Sequence, residues 1–573
     1  MPLQLTGWLG VHRHLNVRVL HVDPHDLRIC GGHGLDRDAV ILLLVDELDT
    51  ERHIGAWVAV IRGIVQKHRT NANKVTCGAE MPLDLTSRPQ KRLVDIALGD
   101  SFAAGYSDGA LFIEGQKGAY PNVLSQQFSE AGGGVFSTPL MADNVGGLLL
   151  GGNVIAAQRL YFNGAAPVAV SGTPSTAVTT KLTGPFSNLG VPGAKSYHLV
   201  AAGYGNAAGV AAGLANPYYA RFASSATSTV LADAVAQTPT FFSLWIGGND
   251  VLGFATSGGI GVNQTGNMNP ATYGSNDITD PTVFASVYNS LVTGLTTNSA
   301  KGVVANLPYV STLPYFTTVP INPLSTSVLG GGNVAVGQAT ITALNAQLYG
   351  PLKQVLTAFG AGDRINLLSA TVANPLLIKD ESLPNLSAQL TAAFTPSLGA
   401  QTAAFYGAVF GQARQATATD LVLLPTQSAI GAAPTATNSG LGIAPSSPLD
   451  KFGITFPLQD SHVLIPTEVA EIKVATDAYN VSIKSIADAK GLAFVDAKAI
   501  MDKLSTTGIV ANNFTVKADY VFGGAFSLDG VHPSPRGYAL IANAFFDAIN
   551  AKYSSNFKKV DLGNYNILFP ARL

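Results

Sequence analysis

From Leu93 to the C-terminus, short apolar runs alternate with longer amphipathic ones, and this alternation limits the folds open to the chain. Leu93–Leu98, Phe241–Ile246, Gly302–Leu307 and Leu492–Asp496 are each short, apolar and bounded by turn residues, the pattern of buried strands. Between them lie stretches of helical spacing: Tyr120–Phe128, Val283–Thr296, Val334–Phe359, Pro466–Lys490 and Gly537–Tyr553. In the fourth, Val469, Ile472, Tyr479, Ile483 and Ile486 make one stripe, Pro466 suits the first helical turn and Gly491 supplies the stop. Strands interleaved with helices predict an α/β fold, a mostly parallel sheet with helices on both faces.

Two regions break that rhythm. Residues 130–185 are rich in Gly and Ala, and residues 365–460 run through Thr, Ala, Ser and Pro with little periodicity. Structureless loops of that length are improbable inside a compact domain, so both are expected to be folded insertions that wall or cover a site. Composition also changes near residue 90, since seven of the ten histidines and both cysteines (Cys30 and Cys77) precede it. Residues 1–90 therefore read as an N-terminal extension of foreign composition, and residues 91–573 as the main domain. His21, His25, Cys30 and His33 are residue types that bind zinc, but no second close ligand pair follows at a zinc-finger spacing, so no metal is expected there.

The chain has 573 residues, 47% of them hydrophobic and only 12% charged, with a formal net charge of −2. That balance offers no electrostatic footprint for nucleic acid. No apolar run reaches the roughly 18 to 20 residues needed to span a bilayer, so no transmembrane segment is expected. The opening residues lack the basic start, apolar stretch and small-residue cleavage site of a secretory signal, and nothing in them predicts export.

Chemistry concentrates in three short stretches. The first, "DIALGDSFAAGYSDG" (95–109), holds two candidate nucleophiles, Ser101 in Gly-Asp-Ser and Ser107 in a Gly-x-Ser-x-Gly match. A nucleophile elbow needs a strand running into a tight turn with a helix leaving it. "LVDIAL" ends one residue before Gly99 and so leads into the Gly99-Asp100-Ser101 turn, whereas Ser107 has no strand before it and flanks that read as a turn. A serine nucleophile also needs a histidine base and a carboxylate to orient it. Outside the N-terminal extension there are His198, His462 and His532, and only His532 has an aspartate, Asp529, three residues before it on a loop ahead of an amphipathic helix. The third stretch, "SLWIGGNDVLG" (243–253), ends a strand in Gly247-Gly248-Asn249-Asp250 and places an amide donor where open α/β sheets bind ligands. Each alone has a bland reading: a turn, a loop histidine, a Gly-Asn turn.

Taken in order, Gly-Asp-Ser, Gly-x-Asn-Asp and Asp-x-x-His resemble the signature blocks of the SGNH (GDSL) hydrolase family, from about Leu93 to the end. The nearer resemblance is to long, exported Bacteroidetes-type GDSL lipase/esterase proteins. It implies a three-layer α/β/α fold with a flavodoxin-like sheet. It further implies a serine esterase or lipase acting through an acyl-enzyme, with Ser101 as nucleophile, His532 as base and Asp529 orienting it. The oxyanion would be received by the Ser101 N–H, the Asn249 side chain and a glycine N–H in "SNLGVPGAKS". Gly193 is the best match for that glycine, with Gly190, Gly203 and Gly205 nearby. Asp100, Gly248 and Asp250 would support these groups, and neither metal nor organic cofactor is implied. The substrate would be a small-molecule ester, while the same site would also serve a carbohydrate O-acetylesterase or a thioesterase. A non-catalytic surface-binding protein on the same sheet is the rival reading. Relatives of this type imply an exported or outer-membrane-associated protein in a bacterium, although the N-terminus carries no matching signal. Family cores are much shorter, so the insertions are expected to shape the substrate site.

Overall fold

The structure, a computed structural model, describes residues 93–573 together with two short strands nearer the N-terminus, Val17–Leu20 and Leu42–Val45, which pair antiparallel. The chain divides into two compact units, Met1–Arg88 and Pro89–Leu573. The His21, His25, Cys30 and His33 spacing lies outside the described residues.

In the larger unit, five strands form one parallel sheet: β1 (Asp95–Gly99), β2 (Asn188–Gly190), β3 (Phe241–Trp245), β4 (Lys301–Ala305) and β5 (Ala493–Val495). Their spatial order is β2-β1-β3-β4-β5, so the direction of winding reverses between β1 and β3. All five residues of β3 are buried, as the central strand of a sheet covered by helices requires. Among the helices around it are α1 (Ser101–Ala104), α2 (Tyr120–Glu130), α3 (Asn249–Thr256), α4 (Pro281–Leu295), α5 (Pro466–Ala489), α6 (Ala497–Leu504) and α7 (Pro535–Tyr553).

Alternation along β3 sorts the packing. Phe241 meets Phe128 of α2 and Tyr553 of α7, and Trp245 meets Tyr120 of α2 and Phe545 of α7. Phe242 and Leu244 point the other way. The α4 and α5 helices form a second packed pair, with the rings of Phe284 and Tyr479 stacked at 4.2 Å.

Four of the five sheet strands and all five helical stretches fall where the sequence places them. The exception is β2, three residues long and too short to show a period. It is a strand because its backbone pairs with β1 and its Asn188 side chain donates to the Ala103 carbonyl at 2.8 Å.

A second hydrophobic core extends from Val319 to Ile465, between β4 and α5. It begins well upstream of residue 365. The earlier part is helical (Val334–Leu344 and Gly350–Ala358, joined by a π-turn), so only the later part carries the Thr/Ala/Ser-rich composition that marks it in the sequence. Arg414 pins this insertion by pairing with Asp380 at 2.5 Å and Asp420 at 2.6 Å. Residues 130–185 fold as two small antiparallel pairs, Leu148–Leu150 with Asn153–Ala156 and Leu160–Phe162 with Pro167–Ala169. Leu148, Met141 and Val178 pack there against Ala104 and Leu111. Among the described residues no helix is long and apolar enough to cross a membrane.

Candidate active site

Register brings the candidate stretches to one end of the sheet. Gly99 lies opposite both Gly190 and Trp245, so the segments leaving β1, β2 and β3 start level with one another. They flank the reversal in winding, where parallel α/β sheets open a crevice. Gly99 is obligatory there, because a Cβ would sit 2.4 Å from the Trp245 carbonyl oxygen.

Directly after Gly99, the Asp100 carboxylate caps α1 by accepting from the Phe102 N–H at 3.0 Å. Ser101 is the first residue of that helix and is 6% exposed. Its hydroxyl lies 2.9 Å from His532 Nε2, and His532 Nδ1 lies 2.9 Å from Asp529 Oδ2. Ser101, 431 positions from His532 and 428 from Asp529 in the chain, thus forms one hydrogen-bonded line with them.

Asp529 is held by protein donors on both of its oxygens. Oδ1 accepts from the Val531 and His532 N–H groups at 2.8 Å each, and Oδ2 accepts from the Gly109 N–H at 2.9 Å besides facing the imidazole. Burial alone would raise its pKa. The imidazole beside it and these donors outweigh burial and hold the carboxyl down at about 2. An ionised Asp529 can only accept, so Nδ1 carries a proton, and in the neutral tautomer this leaves the Nε2 lone pair towards the Ser101 hydroxyl.

Asp100 behaves oppositely. Burial, with Asp250 adding to it, pushes its carboxyl up to about 7, against the Phe102 N–H and the nearby His532.

The remaining predicted groups sit on the neighbouring loops. Gly193 has φ +77°, a left-handed turn conformation in which a Cβ would meet nothing within 4 Å. Among the described residues neither the Ser101 N–H nor the Gly193 N–H has a protein acceptor. One N–H of the Asn249 amide donates to the Ala194 carbonyl at 3.0 Å, which ties the start of α3 to the Gly193 turn, and among the described residues its second hydrogen has no acceptor. Gly248 adjoins Asp100, its ideal Cβ position being 3.7 Å from Asp100 Oδ2. Asp250 is fully buried and accepts from both the N–H and the hydroxyl of Ser196 at 2.8 Å. Burial raises its pKa, and its part is to hold the segment after Gly193 against α3.

In the sequence "GYSDG" reads as a turn, and the structure gives that turn a task. The buried Ser107 hydroxyl donates to the Pro533 carbonyl at 3.1 Å. Asp108 accepts from the Leu528 N–H at 2.9 Å and donates its own N–H to Ser527 Oγ at 2.9 Å, while Gly109 reaches Asp529. The Tyr106 ring lies 4.6 Å from that of His532, and Phe102 lies 5.4 Å from it on α1. Residues 106–109 therefore clamp the Asp529–His532 loop. No single-stretch motif announces this, since each partner lies more than 400 residues away.

The other two described histidines stand elsewhere. His198 Nδ1 accepts from the Lys195 N–H and its ring stacks on Tyr204 at 4.4 Å, with burial pressing its pKa down to about 4. His462 Nδ1 accepts from the Gln459 N–H. Among the described residues neither ring hydrogen-bonds to a serine hydroxyl. Comparison with protein-family models, curated proteins and solved structures finds no match to this chain.

Proposed function

We propose that the protein is a serine hydrolase of carboxylic esters, acting through an acyl-enzyme at Ser101. The observation that carries this reading is the line Ser101 Oγ–His532–Asp529, with both links at 2.9 Å. Nε2 is placed to take the hydroxyl proton as Oγ attacks the ester carbonyl, and Asp529 stabilises the imidazolium that results. The Ser101 and Gly193 N–H groups and the second amide hydrogen of Asn249 would receive the developing oxyanion. His532 then protonates the leaving alcohol, and water, activated by the same nitrogen, releases the acid. The strand order and the two helix layers support the finer reading of the fold as a three-layer, flavodoxin-like sheet of the SGNH hydrolase kind.

The test is Ser101→Ala beside Ser107→Ala, assayed on a chromogenic short-chain ester. Loss of the nucleophile costs on the order of 10⁶ in turnover, whereas Ser107→Ala removes one anchoring hydrogen bond and keeps most activity. Mass spectrometry after a serine-directed phosphonate should find the adduct on Ser101. A Ser101→Ala protein that hydrolyses as fast as the parent would refute the proposal.

A further inference from the structure

Two adjoining cavities, of ≈ 40 and ≈ 60 Å³, open beside the candidate site. The smaller is walled in part by Asp100, Gly248 and Val531, the chain neighbours of Ser101, Asn249 and His532. The larger runs between α6 and α7, past Met501, Leu504 and Ala544. They share Phe102, Trp245, Pro308 and Leu313 as walls. Phe102 stands at the junction, its ring 5.4 Å from His532 and 5.0 Å from Trp245.

Every side chain lining the larger cavity is apolar, and in the smaller only Asp100 is polar. Water needs two to four polar partners to occupy such a space, so the natural occupant is hydrocarbon. We infer that this pair of cavities takes the acyl chain of the substrate, which is an ester of a linear, medium-length fatty acid; this rests on the hydrolase reading above. At 10–15 Å³ for each water-sized group, the two cavities hold a chain of roughly six to ten carbons. Their walls come from the α/β core and the segment after β4, and none from residues 130–185 or the 319–465 insertion. Chain-length selection therefore belongs to the core and not, as the sequence leads one to expect, to the insertions.

The experiment is a series of p-nitrophenyl esters from acetate to palmitate, run on the full chain and on two variants. The parent's kcat/KM should peak between six and ten carbons. Ala544→Phe fills the larger cavity and should lower the octanoate value at least tenfold while leaving acetate within about twofold. Met501→Ala enlarges it and should move the peak to longer chains. Unchanged profiles in both folded variants would overturn the inference.

A second measurement does not need turnover. In a Trp8→Phe, Trp57→Phe, Ser101→Ala chain, Trp245 is the only tryptophan, and 8-bromooctanoate should quench it saturably, with the effect lost on adding Ala544→Phe. Absence of quenching overturns the cavity assignment even if esters are hydrolysed. Quenching without any Ser101-dependent hydrolysis instead overturns the hydrolase reading, and the acyl assignment with it.

Discussion

Asp108 shows how much one side chain can carry at this site. Its backbone is in the left-handed region (φ 52°), which Asp and Asn tolerate better than other residues with a Cβ. One carboxylate oxygen accepts from the Leu528 N–H, while the other is buried with no hydrogen-bond partner among the described residues. Burial first, then the nearby negative charge of Asp529, pushes its carboxyl up to about 7. Asp529 keeps its charge and Asp108 gives way, which limits repulsion between two neighbouring acids. Asn at this position keeps both the acceptor and the backbone tolerance, so Asp108→Asn should melt within about 1 kcal/mol of the parent and keep its turnover. Asp108→Ala strands a buried N–H, at a cost of about 1–3 kcal/mol, and loosens the loop that carries His532. Thermal melts and kcat measured together check this; equal behaviour of the two variants would show that the clamp does not position His532.

Among the elements, the strands and helices of the sheet unit follow from local pattern, while the insertion adds to its own apolar core a buried ion network. Arg414 lies on Ala413–Gln415, which pairs antiparallel with Leu377–Lys379, and its guanidinium joins Asp380 beside that pair to Asp420 downstream. The side chains of Arg414, Asp380 and Asp420 are only 12%, 6% and 0% exposed. Breaking a buried pair from one side leaves uncompensated charge and typically costs about 3–5 kcal/mol. Arg414→Ala should therefore be severely destabilised in a denaturant titration. A loss below about 1 kcal/mol would mean that water replaces the guanidinium there. Three features make α7 readable from sequence: Pro535 in its first turn, the Ser534 hydroxyl accepting from the Gly537 N–H at 3.0 Å, and a stripe of buried apolar residues. No such local signal exists for β2, whose place comes entirely from its neighbour.

Across the 93–573 unit, buried acids with raised pKa outweigh the half-buried His198 and His462, whose lowered pKa acts in the opposite direction, in setting the response to pH. Burial pushes Asp95 up to about 8 and Asp100 and Asp108 up to about 7, and raises Glu468, which faces Glu381 and Asp460. Each binds its proton more tightly folded than unfolded, so its contribution to stability is full in acid and is lost as pH rises from the unfolded value towards the folded one. Asp529, held down at about 2 by His532 and backbone donors despite burial, has the reverse sign, and its contribution is lost as pH falls below about 4. The melting temperature should therefore fall as pH rises from about 5 to 8, and fall again below about 4. Calorimetry across that range checks the sign, and a melting temperature that climbs towards pH 8 would contradict it.

Local sequence pattern is enough for the α/β alternation and the limits of the long helices, and the motifs single out Ser101, Asp529, His532 and Asn249. These are legible because hydrophobic period, caps and turn residues act over a few positions, and because the motifs stand in a recognisable order. Only the tertiary structure decided that Gly99 lies level with Gly190 and Trp245, that "GYSDG" grips the Asp529–His532 loop, and that the cavity behind Phe102 is lined by the core. Those facts rest on contacts between segments hundreds of residues apart, and no local periodicity encodes which distant carbonyl a buried hydroxyl will find.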